Sequence, residues 1–264
     1  MELNSLWIGP RLPPVQQLCL ASAVATGCKV RLFTYDKVEG IPKGIEIANG
    51  REVLGLEKMI RHRQSQSVAL FSDRFRYEIL AKGLGAWIDT DMLFLKAPMI
   101  SKGEYLVGWE VGKLVSAGFI WIRPGHPIID ELRRTAFDEY PVPGWYSADH
   151  RLYLNLRKLF GFPKHVSDLE WGVIGPDLLT WLLEKHDMLQ GVQPVSWSCG
   201  LPWQERHNIG RAEYDWKQWI NDETVCIHLW NHDLSGEDRS RVPEPGSLLQ
   251  TIAERAGFRW PEAA

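Results

Sequence analysis

The chain opens with a strand pattern, a helix pattern and a second strand pattern, and this order constrains its fold more than any other feature. Leu3–Ile8 is a short apolar run, and Lys29–Thr34 is rich in β-branched and aromatic residues, so both are predicted to be strands. Between them, Pro13-Pro14 can begin a helix that covers Val15–Thr26 and stops at Gly27. A strand, a helix and a strand in this order predict an α/β sheet.

Similar patterns recur along the rest of the chain. Helices are predicted at Val53–Arg63, from Ser72 or Asp73 to Lys82, and at Pro127–Phe137, Pro176–Lys185 and Ser247–Ala256. Strands are predicted at Ala86–Ile88, Leu114–Ile122 and Val225–Trp230. Because no internal repeat or linker interrupts these patterns, we expect a single domain over residues 1–264.

Composition excludes several classes of protein. The 30 basic and 33 acidic residues give a net charge of −3, which is too balanced for a nucleic-acid-binding protein that relies on a basic surface. No secretory signal pattern is visible, and no apolar run approaches the roughly 20 residues that a membrane-spanning helix needs. The four cysteines show no metal-binding spacing, which favours free thiols in a reducing compartment. We therefore expect a cytoplasmic protein with no nucleic-acid partner.

Two carboxylates directly follow one of the predicted strands. Ala86–Ile88 runs into Asp89-Thr90-Asp91, and the carboxyl ends of strands are where open α/β sheets bind ligands. Two acidic side chains on one turn can both reach a single cation, and their hard oxygen ligands suit Mg²⁺ or Mn²⁺. The tripeptide alone is also typical of a solvated turn, because so short a motif recurs by chance.

A second acidic and basic pair precedes this turn. Asp73 and Arg76 lie three residues apart, so both are predicted on one face of the first turn of a helix, where backbone N–H groups favour anions. A helix cap with a surface ion pair is the simpler alternative. Combined with Asp89 and Asp91, however, the pair could hold sugar hydroxyls, a phosphate and a metal ion.

These residues belong to a longer series of motifs. In chain order it comprises Leu6-Trp7-Ile8-Gly9, Ser72-Asp73 with Arg76, Trp87-Ile88-Asp89-Thr90-Asp91, Ser116-Ala117-Gly118-Phe119, Gly175-Pro176, and His228-Leu229-Trp230. The series resembles the family 32 glycosyltransferases with the DXD sugar-binding region. It is also similar to the glucosyltransferase domain of the large clostridial toxins.

The resemblance implies a GT-A-type fold with a mixed central sheet flanked by helices. The donor-binding half would comprise about residues 1–125, and the acceptor side and closing elements about residues 126–264. The implied activity is transfer of a hexose or N-acetylhexosamine from a nucleoside-diphosphate sugar, expected to be a UDP-sugar, with Mn²⁺ or Mg²⁺ as the metal and retention of configuration. The implied acceptor is a glycan or glycolipid, in the synthesis of surface glycans near the inner face of the membrane.

The resemblance also assigns roles to individual residues. Asp89, Asp91 and His228 would bind the metal, while Asp73 and Arg76 would hold donor-sugar hydroxyls and phosphate and, with Asp91, carry the catalysis. Trp7 would stack on the base and Trp87 would line the donor pocket. Ser116 stands where the family has Asn, and Asn231-His232 follow the late motif, so either of these two could share the role of His228.

Other interpretations stay open from the residues themselves. Tyr35 ends the second strand and could touch the base or ribose, or simply belong to a turn. Trp203, Trp216 and Trp219 are predicted to pack in the core, with an acceptor sugar or a membrane interface as alternatives. Asp149 and Asp177 are both conceivable nucleophiles. A sugar-binding module without catalysis, or a phosphatase of the haloacid dehalogenase type, are the alternative functions.

Overall fold

A six-stranded sheet forms the centre of the computed structural model, which describes residues 1–100, 103–110, 112–230 and 242–261. The described strands are β1 (Glu2–Trp7), β2 (Lys29–Thr34), β3 (Ile45–Asn49), β4 (Ala86–Ile88), β5 (Met92–Phe94), β6 (Tyr105–Leu106), β7 (Phe119–Ile122) and β8 (Cys226–His228). The strand order in the main sheet is β3-β2-β1-β4-β7-β6. Strands β1 to β4 run parallel, whereas β7 is antiparallel to β4 and β6. This confirms the predicted α/β class with a mixed central sheet.

Helices cover both faces of this sheet. They are α1 (Pro14–Ala25), α2 (Ala69–Ala81), α3 (Pro127–Ala136), α4 (Ala148–Leu159), α5 (Pro176–Lys185), the single turn α6 (Val195–Ser198) and α7 (Leu248–Ala256). Side chains alternate along β4, so Trp87 packs with Phe75 of α2, while Ala86 and Ile88 share a cluster with Leu20 of α1. Because both faces are buried, β4 is apolar at every position, which is why its sequence reads as a short apolar run.

A second, two-stranded sheet lies where the chain leaves β4. Strand β5 pairs antiparallel with β8, and this register sets Met92 opposite His228. Leu93 and Ile227 of this pair share a core cluster with Val15 of α1 and Ile252 of α7. Helix α1 therefore packs against both the main sheet and the late strand β8.

Most predicted elements occur close to their predicted positions. Strands β2 and β4 and helix α5 have the predicted bounds, and β1, α1, α3 and α7 differ from them by one or two residues at an end. Gly85 precedes β4 with a φ of 117°, and a Cβ there would lie 2.6 Å from the carbonyl oxygen of Glu2, so the chain needs glycine at this turn. In the described part of the chain, we find no helix with the length and hydropathy to cross a membrane.

Three predicted segments are wrong in their extent. Val53–Arg63 contains the 3₁₀ turn Leu56–Lys58 and no α-helix. Its apolar residues contact the core individually, from an irregular segment and not from one face of a helix. Leu114–Ile122 is strand only from Phe119, and Val225–Trp230 is strand only at Cys226–His228. A serine-stabilised turn delays the first of these strands, and a positive φ of 44° at Trp230 prevents the second from continuing.

The start of helix α2 also differs from the prediction. The Ser72 backbone N–H donates to the Val68 carbonyl at 2.9 Å, so Ser72 and Asp73 lie inside the helix and do not cap it. The Ser67 hydroxyl accepts from the Ala69 N–H at 3.1 Å instead. Asp73 and Arg76 therefore share a face of the helix, as predicted, but not its first turn.

Strands β5 and β6 and helices α4 and α6 have no counterpart among the predictions. The predicted shared helix face of Trp216 and Trp219 is a single 3₁₀ turn, Trp216–Trp219, whose tryptophans pack against the cluster beneath α7.

Candidate functional site

The two carboxylates of the Asp-x-Asp turn lie at the end of β4, beside β7. The Asp89 N–H donates to the Gly118 carbonyl at 2.8 Å, which joins the turn to the chain that enters β7. The Met92 N–H donates to the Asp89 carbonyl at 3.3 Å, which closes the turn before β5. This turn directs both carboxylates toward the same edge of the sheet.

The pairing of β5 with β8 brings His228 to Asp91. The Leu229 N–H donates to the Asp91 carbonyl at 3.1 Å, and the His228 Nε2 lies 3.5 Å from the Asp91 Oδ1. Burial opposes charge on the imidazole, but the facing carboxylate more than offsets this and raises the pKa of His228 well above its ordinary value. A cation bound here would take the place of that proton.

Asp89, Asp91 and His228 could together hold a metal ion. One ligand atom from each residue lies within 4.8 Å of the other two. Carboxylate oxygens with one imidazole nitrogen form a mixed donor set, which fits a first-row divalent ion such as Mn²⁺ better than Mg²⁺, which favours oxygen ligands. The donor atoms therefore fit the group that the resemblance implies. Asn231 and His232, the alternative late ligands, lie outside the described residues.

Arg76 connects the metal-binding carboxylates to helix α2. Its Nη2 donates to the Asp89 Oδ1 at 3.2 Å, its Nη1 lies 3.2 Å from the Asp73 Oδ1, and the same Nη1 donates to the Ala117 carbonyl at 2.9 Å. The Trp87 indole N–H donates to the Asp89 Oδ1 at 2.8 Å. Arg76 and Asp73 are both buried, so their geometry is fixed by the surrounding protein.

Asp73 titrates differently from an ordinary aspartate. Burial raises the pKa of Asp73 to about 6, although the positive charge of Arg76 opposes the shift. Gly175, directly before helix α5, approaches this carboxylate so closely that a Cβ would lie 2.8 Å from the Asp73 Oδ1. The Tyr77 hydroxyl donates to the neighbouring Ile174 carbonyl at 2.9 Å and fixes this approach. The Gly175-Pro176 pair of the sequence thus lies against Asp73.

Two cavities meet at these polar residues. The first has a volume of about 460 Å³ and the second about 330 Å³. Ala69, Arg76, Asp89 and Asp91 line both cavities. A ligand longer than either cavity could therefore extend from one into the other and cross the candidate metal site at its middle.

The two cavities differ in their other walls. The second is lined by Trp7, with Leu6, Ile8, Gln16 and Trp87. The first is lined by Asp73, Asp177, Glu110, His228 and the tryptophans Trp171, Trp203 and Trp230. Trp171 and Trp203 are 48% and 43% exposed, so the first cavity has an aromatic rim. Arg206 stacks on Trp203 at 3.9 Å from the ring centre, and burial raises the pKa of Asp177.

Several proposed site residues are not brought to the cavities. Tyr35 is buried, its hydroxyl donates to the Leu54 carbonyl at 2.5 Å, and it lines neither cavity. The buried Ser116 hydroxyl accepts from the Gly118 N–H at 3.2 Å, so Ser116 supports the wall formed by Gly118 without lining it. Asp149 is exposed on α4 and lies on neither cavity wall.

Two further residues, Glu110 and Trp171, line the first cavity although the sequence did not predict them as site residues. Glu110 accepts a hydrogen bond from the Trp230 indole N–H at 3.1 Å, across 120 residues of sequence. Trp171 forms an edge contact with His62, with ring centres 5.8 Å apart. No local pattern marks either residue, because each reaches the site through a loop; the high tryptophan content was the one available signal.

Comparison with known proteins gives likenesses in structure but none in sequence. No protein-family model matches the chain, and no curated protein matches it. Similar solved structures include PaToxG glycosyltransferase, which is 16% identical over 72% of this chain and 70% of that chain, with a TM-score of 0.46. Mouse xyloside xylosyltransferase 1 is 10% identical over 86% of this chain and 97% of that one, with a TM-score of 0.44. GlyE of Streptococcus pneumoniae TIGR4 is 13% identical over 98% of this chain and 60% of that one, with a TM-score of 0.43. At TM-scores this low, the function of the chain has to be argued from its own side chains.

Proposed function

We propose that this chain is a metal-dependent glycosyltransferase of the GT-A type, related to family 32. It would move a hexose or N-acetylhexosamine from a nucleoside-diphosphate sugar to an acceptor hydroxyl. The observation that carries the proposal is that Asp89 and Asp91 line both cavities and lie close enough to His228, in the first cavity, for the three to hold one metal ion. A nucleotide-sugar has its diphosphate between two bulky groups, which is the shape that the junction of the two cavities fits.

The two cavities suit the two ends of such a donor. Trp7 offers an aromatic ring for the base in the second cavity, where Trp87 is almost fully buried. The sugar would lie in the first cavity against Asp73, whose carboxylate can accept hydrogen bonds from hydroxyls.

The chemistry requires stabilisation of negative charge on the leaving diphosphate. A divalent metal ion on Asp89, Asp91 and His228 would act there as a Lewis acid. Arg76 adds a positive charge that is already held in place by Asp73, Asp89 and the Ala117 carbonyl, so it needs no reorganisation as charge develops. The buried position of Arg76 strengthens this contribution, because fewer water molecules screen it.

The aromatic rim of the first cavity would receive the acceptor. Trp171 and Trp203 present exposed rings beside Asp177, and aromatic rings pack well against the apolar faces of sugars. A glycan or glycolipid acceptor would thus approach the donor sugar from this side. The assignments to surface-glycan synthesis, to a UDP-sugar donor and to retention of configuration rest on the sequence resemblance alone.

The same exposed tryptophans support one alternative, a sugar-binding module without catalysis. A binding module would take a free glycan without metal or nucleotide, whereas the transferase should bind a nucleoside diphosphate weakly unless Mn²⁺ is present. Calorimetric titration with each ligand, with and without Mn²⁺, separates the two functions.

A panel of nucleotide-sugars tests the proposed activity directly. Each donor is incubated with the full chain and Mn²⁺, and release of the nucleoside diphosphate is measured. We expect slow hydrolysis of one donor class, lost when EDTA removes the metal. If no donor is hydrolysed and none binds in calorimetry with Mn²⁺, the proposal is wrong.

A further inference from the structure

Helix α4 exposes apolar side chains that soluble proteins ordinarily bury. Leu154 is the buried residue of this helix. The exposed apolar residues are Leu152, Tyr153, Leu156 and Leu159 on the helix, and Phe160 and Phe162 in the turn that follows it. Leu159 and Phe162 are 77% and 71% exposed. Single exposed apolar residues are common on protein surfaces, but a group of them marks an interaction surface.

These side chains form one continuous stripe. Leu152, Leu156 and Leu159 are spaced by four and three residues, so they lie on the same face of the helix, and Phe160 continues that face. Leu154 points the other way, into the core that contains α2, α3 and α5. No other helix or strand in the described part of the chain packs extensively on α4. The stripe therefore faces outward from Leu152 to the end of the helix, with Asp149 on the same face in the first turn.

The turn that ends the stripe is held in a fixed shape. The Arg157 Nε donates to the Phe162 carbonyl at 2.9 Å, and its Nη1 donates to the Tyr153 hydroxyl at 3.2 Å. The side chains of Phe160 and Phe162 therefore extend from a turn anchored to the helix, which reduces the conformational entropy lost when they become buried.

Positive charge borders the stripe on both sides. On a helical wheel, Arg151 and Lys158 lie on one side of it and Arg157 on the other. Lys164 follows Phe162, and Asp149 is the single acidic residue between positions 148 and 164. This segment is basic within a chain whose overall net charge is −3.

The basic side chains beside the stripe favour one kind of partner for α4 over another. A second copy of the chain packed symmetrically on this stripe would place like charges opposite each other, which is unfavourable. An anionic lipid surface would accept the apolar stripe among its acyl chains and the basic side chains among its headgroups. Long Arg and Lys side chains suit this position, because their stems stay apolar while their charged ends reach the headgroups.

We propose that α4 and the turn after it dock this protein onto anionic membrane surfaces, with the helix parallel to the membrane plane. The proposal is independent of the glycosyltransferase assignment, because no residue of the stripe lines either cavity. It places the membrane contact on α4 and not on Trp216 and Trp219, which pack against the cluster beneath α7.

Flotation of the full chain with lipid vesicles tests this. One set of vesicles consists of phosphatidylcholine alone, and the other is an equal mixture of phosphatidylcholine and phosphatidylglycerol. We expect the protein to float with the mixed vesicles, to bind the neutral vesicles at least about tenfold more weakly, and to be released by salt.

Two double variants separate the apolar and electrostatic contributions. Leu159→Ser with Phe160→Ser, and Arg151→Gln with Lys158→Gln, should each weaken binding to the mixed vesicles by about tenfold or more. Ile47→Ser with Met99→Ser, which changes two exposed apolar residues elsewhere, should bind as the original chain does. Because all these side chains are exposed, the melting temperature should stay unchanged in every variant, which verifies folding.

Three results would overturn the proposal. The first is that the original chain does not float with the mixed vesicles. The second is that the α4 variants bind as well as the control variant. The third is that the original chain sediments as a dimer, ignores vesicles, and becomes monomeric on replacement of Leu159 and Phe160, which would make the stripe a self-association surface.

Discussion

Arg76 is the side chain on which the polar residues of the site converge. It contacts Asp73, Asp89 and the Ala117 carbonyl from a buried position, and it lines both cavities. An arginine so held has little freedom to adopt another rotamer, so it can act as a fixed positive charge. The neighbouring carboxylates have different proposed roles. Asp89 and Asp91 lie near His228, where a metal ion would bind, whereas Asp73 lies on α2 near Gly175, where the donor sugar would bind.

At the residue scale, the metal site can be tested by replacement of Asp91 with Asn. The amide removes one negative ligand, so we expect Mn²⁺-dependent donor hydrolysis to fall by about 100-fold or more. Asp222→Asn is the matched control, because Asp222 is an exposed aspartate that lines neither cavity. Full activity of the Asp91 variant across a Mn²⁺ titration would contradict the proposed ligand set.

The raised pKa of Asp73 gives a second prediction at this scale. Its pKa is about 6 in the folded chain against 3.8 for an ordinary aspartate, so the folded state binds more protons between these pH values. The contribution of Asp73 to stability is therefore lost as the pH rises through this window. Asp73→Asn should gain stability relative to the original chain by about 2 kcal/mol between pH 4 and pH 7.

Urea unfolding followed by tryptophan fluorescence at several pH values measures this difference. The difference in stability between the Asp73→Asn variant and the original chain removes the contribution of the other carboxylates, which both chains share. A stability difference that does not change between the two pH limits would show that Asp73 titrates normally.

At the scale of elements, the site depends on the approach of α5 to α2. Gly175 lies directly before α5, and its backbone contacts the Asp73 carboxylate more closely than a side chain would allow. The turn directly before α5 thus sets the position of a carboxylate on α2, in the proposed donor site. The Tyr77 hydrogen bond to Ile174 holds the same approach from the α2 side.

Gly175→Ala tests the importance of this approach. The added Cβ would lie 2.8 Å from the Asp73 Oδ1, so the carboxylate or the turn has to move. We expect the KM for the donor to rise about tenfold, since a small misplacement of a positioning contact costs this much or more. Gly210→Ala is the control, because the nearest atom to its Cβ would lie at 3.9 Å. An unchanged KM in the Gly175 variant would exclude a role for this contact.

The packing of α2 on the sheet gives a stability prediction at the same scale. Phe75 is fully buried, with its ring centre 5.5 Å from that of Phe33 and 6.1 Å from that of Trp87. Phe75→Ala should lower the free energy of unfolding by about 3–5 kcal/mol, because it leaves a cavity beneath the site. Ile47→Ala on the exposed side of β3 should change it by less than about 0.5 kcal/mol. Similar losses for both variants in urea unfolding would contradict this assignment of the core.

At the scale of the whole molecule, the ligands of the proposed reaction should stabilise the fold. The candidate site joins β4, β8 and α2, so a metal and nucleotide that bind it hold distant parts of the chain together. Ligand at 100 times its dissociation constant adds about 2.7 kcal/mol to stability.

Thermal melting measures this linkage. Mn²⁺ together with a nucleoside diphosphate should raise the melting temperature by about 5–10 °C, and either ligand alone should raise it less. The Asp91→Asn variant should lose the combined effect. Equal stabilisation by the nucleotide with and without Mn²⁺ would argue that the metal is not part of the donor site.

Sequence patterns predicted strands and helices correctly where the conformation of a residue depends on its neighbours along the chain. The apolar strands β2 and β4 and the proline-led helix α5 have the predicted bounds, because burial on both faces of a sheet and a proline at the first helical position leave local signatures. Asp73 and Arg76 were predicted on one helix face because they lie three residues apart. The start of α2 was predicted too late, because the buried Leu70 and Phe71 extend the helix beyond the polar residues that resemble a cap.

The α/β class, the Asp-x-Asp turn at a strand end and the chemistry of the residues that could surround it all follow from the amino-acid order. Which of these residues meet depends on the packing of distant segments. His228 reaches Asp91 through pairing of β5 with β8, and Gly175 reaches Asp73 from the turn before α5. Tyr35 and Ser116 line neither cavity. The physical reason is that local patterns report burial and backbone preference within a few residues, whereas a binding site is assembled from contacts between segments that are far apart in the chain.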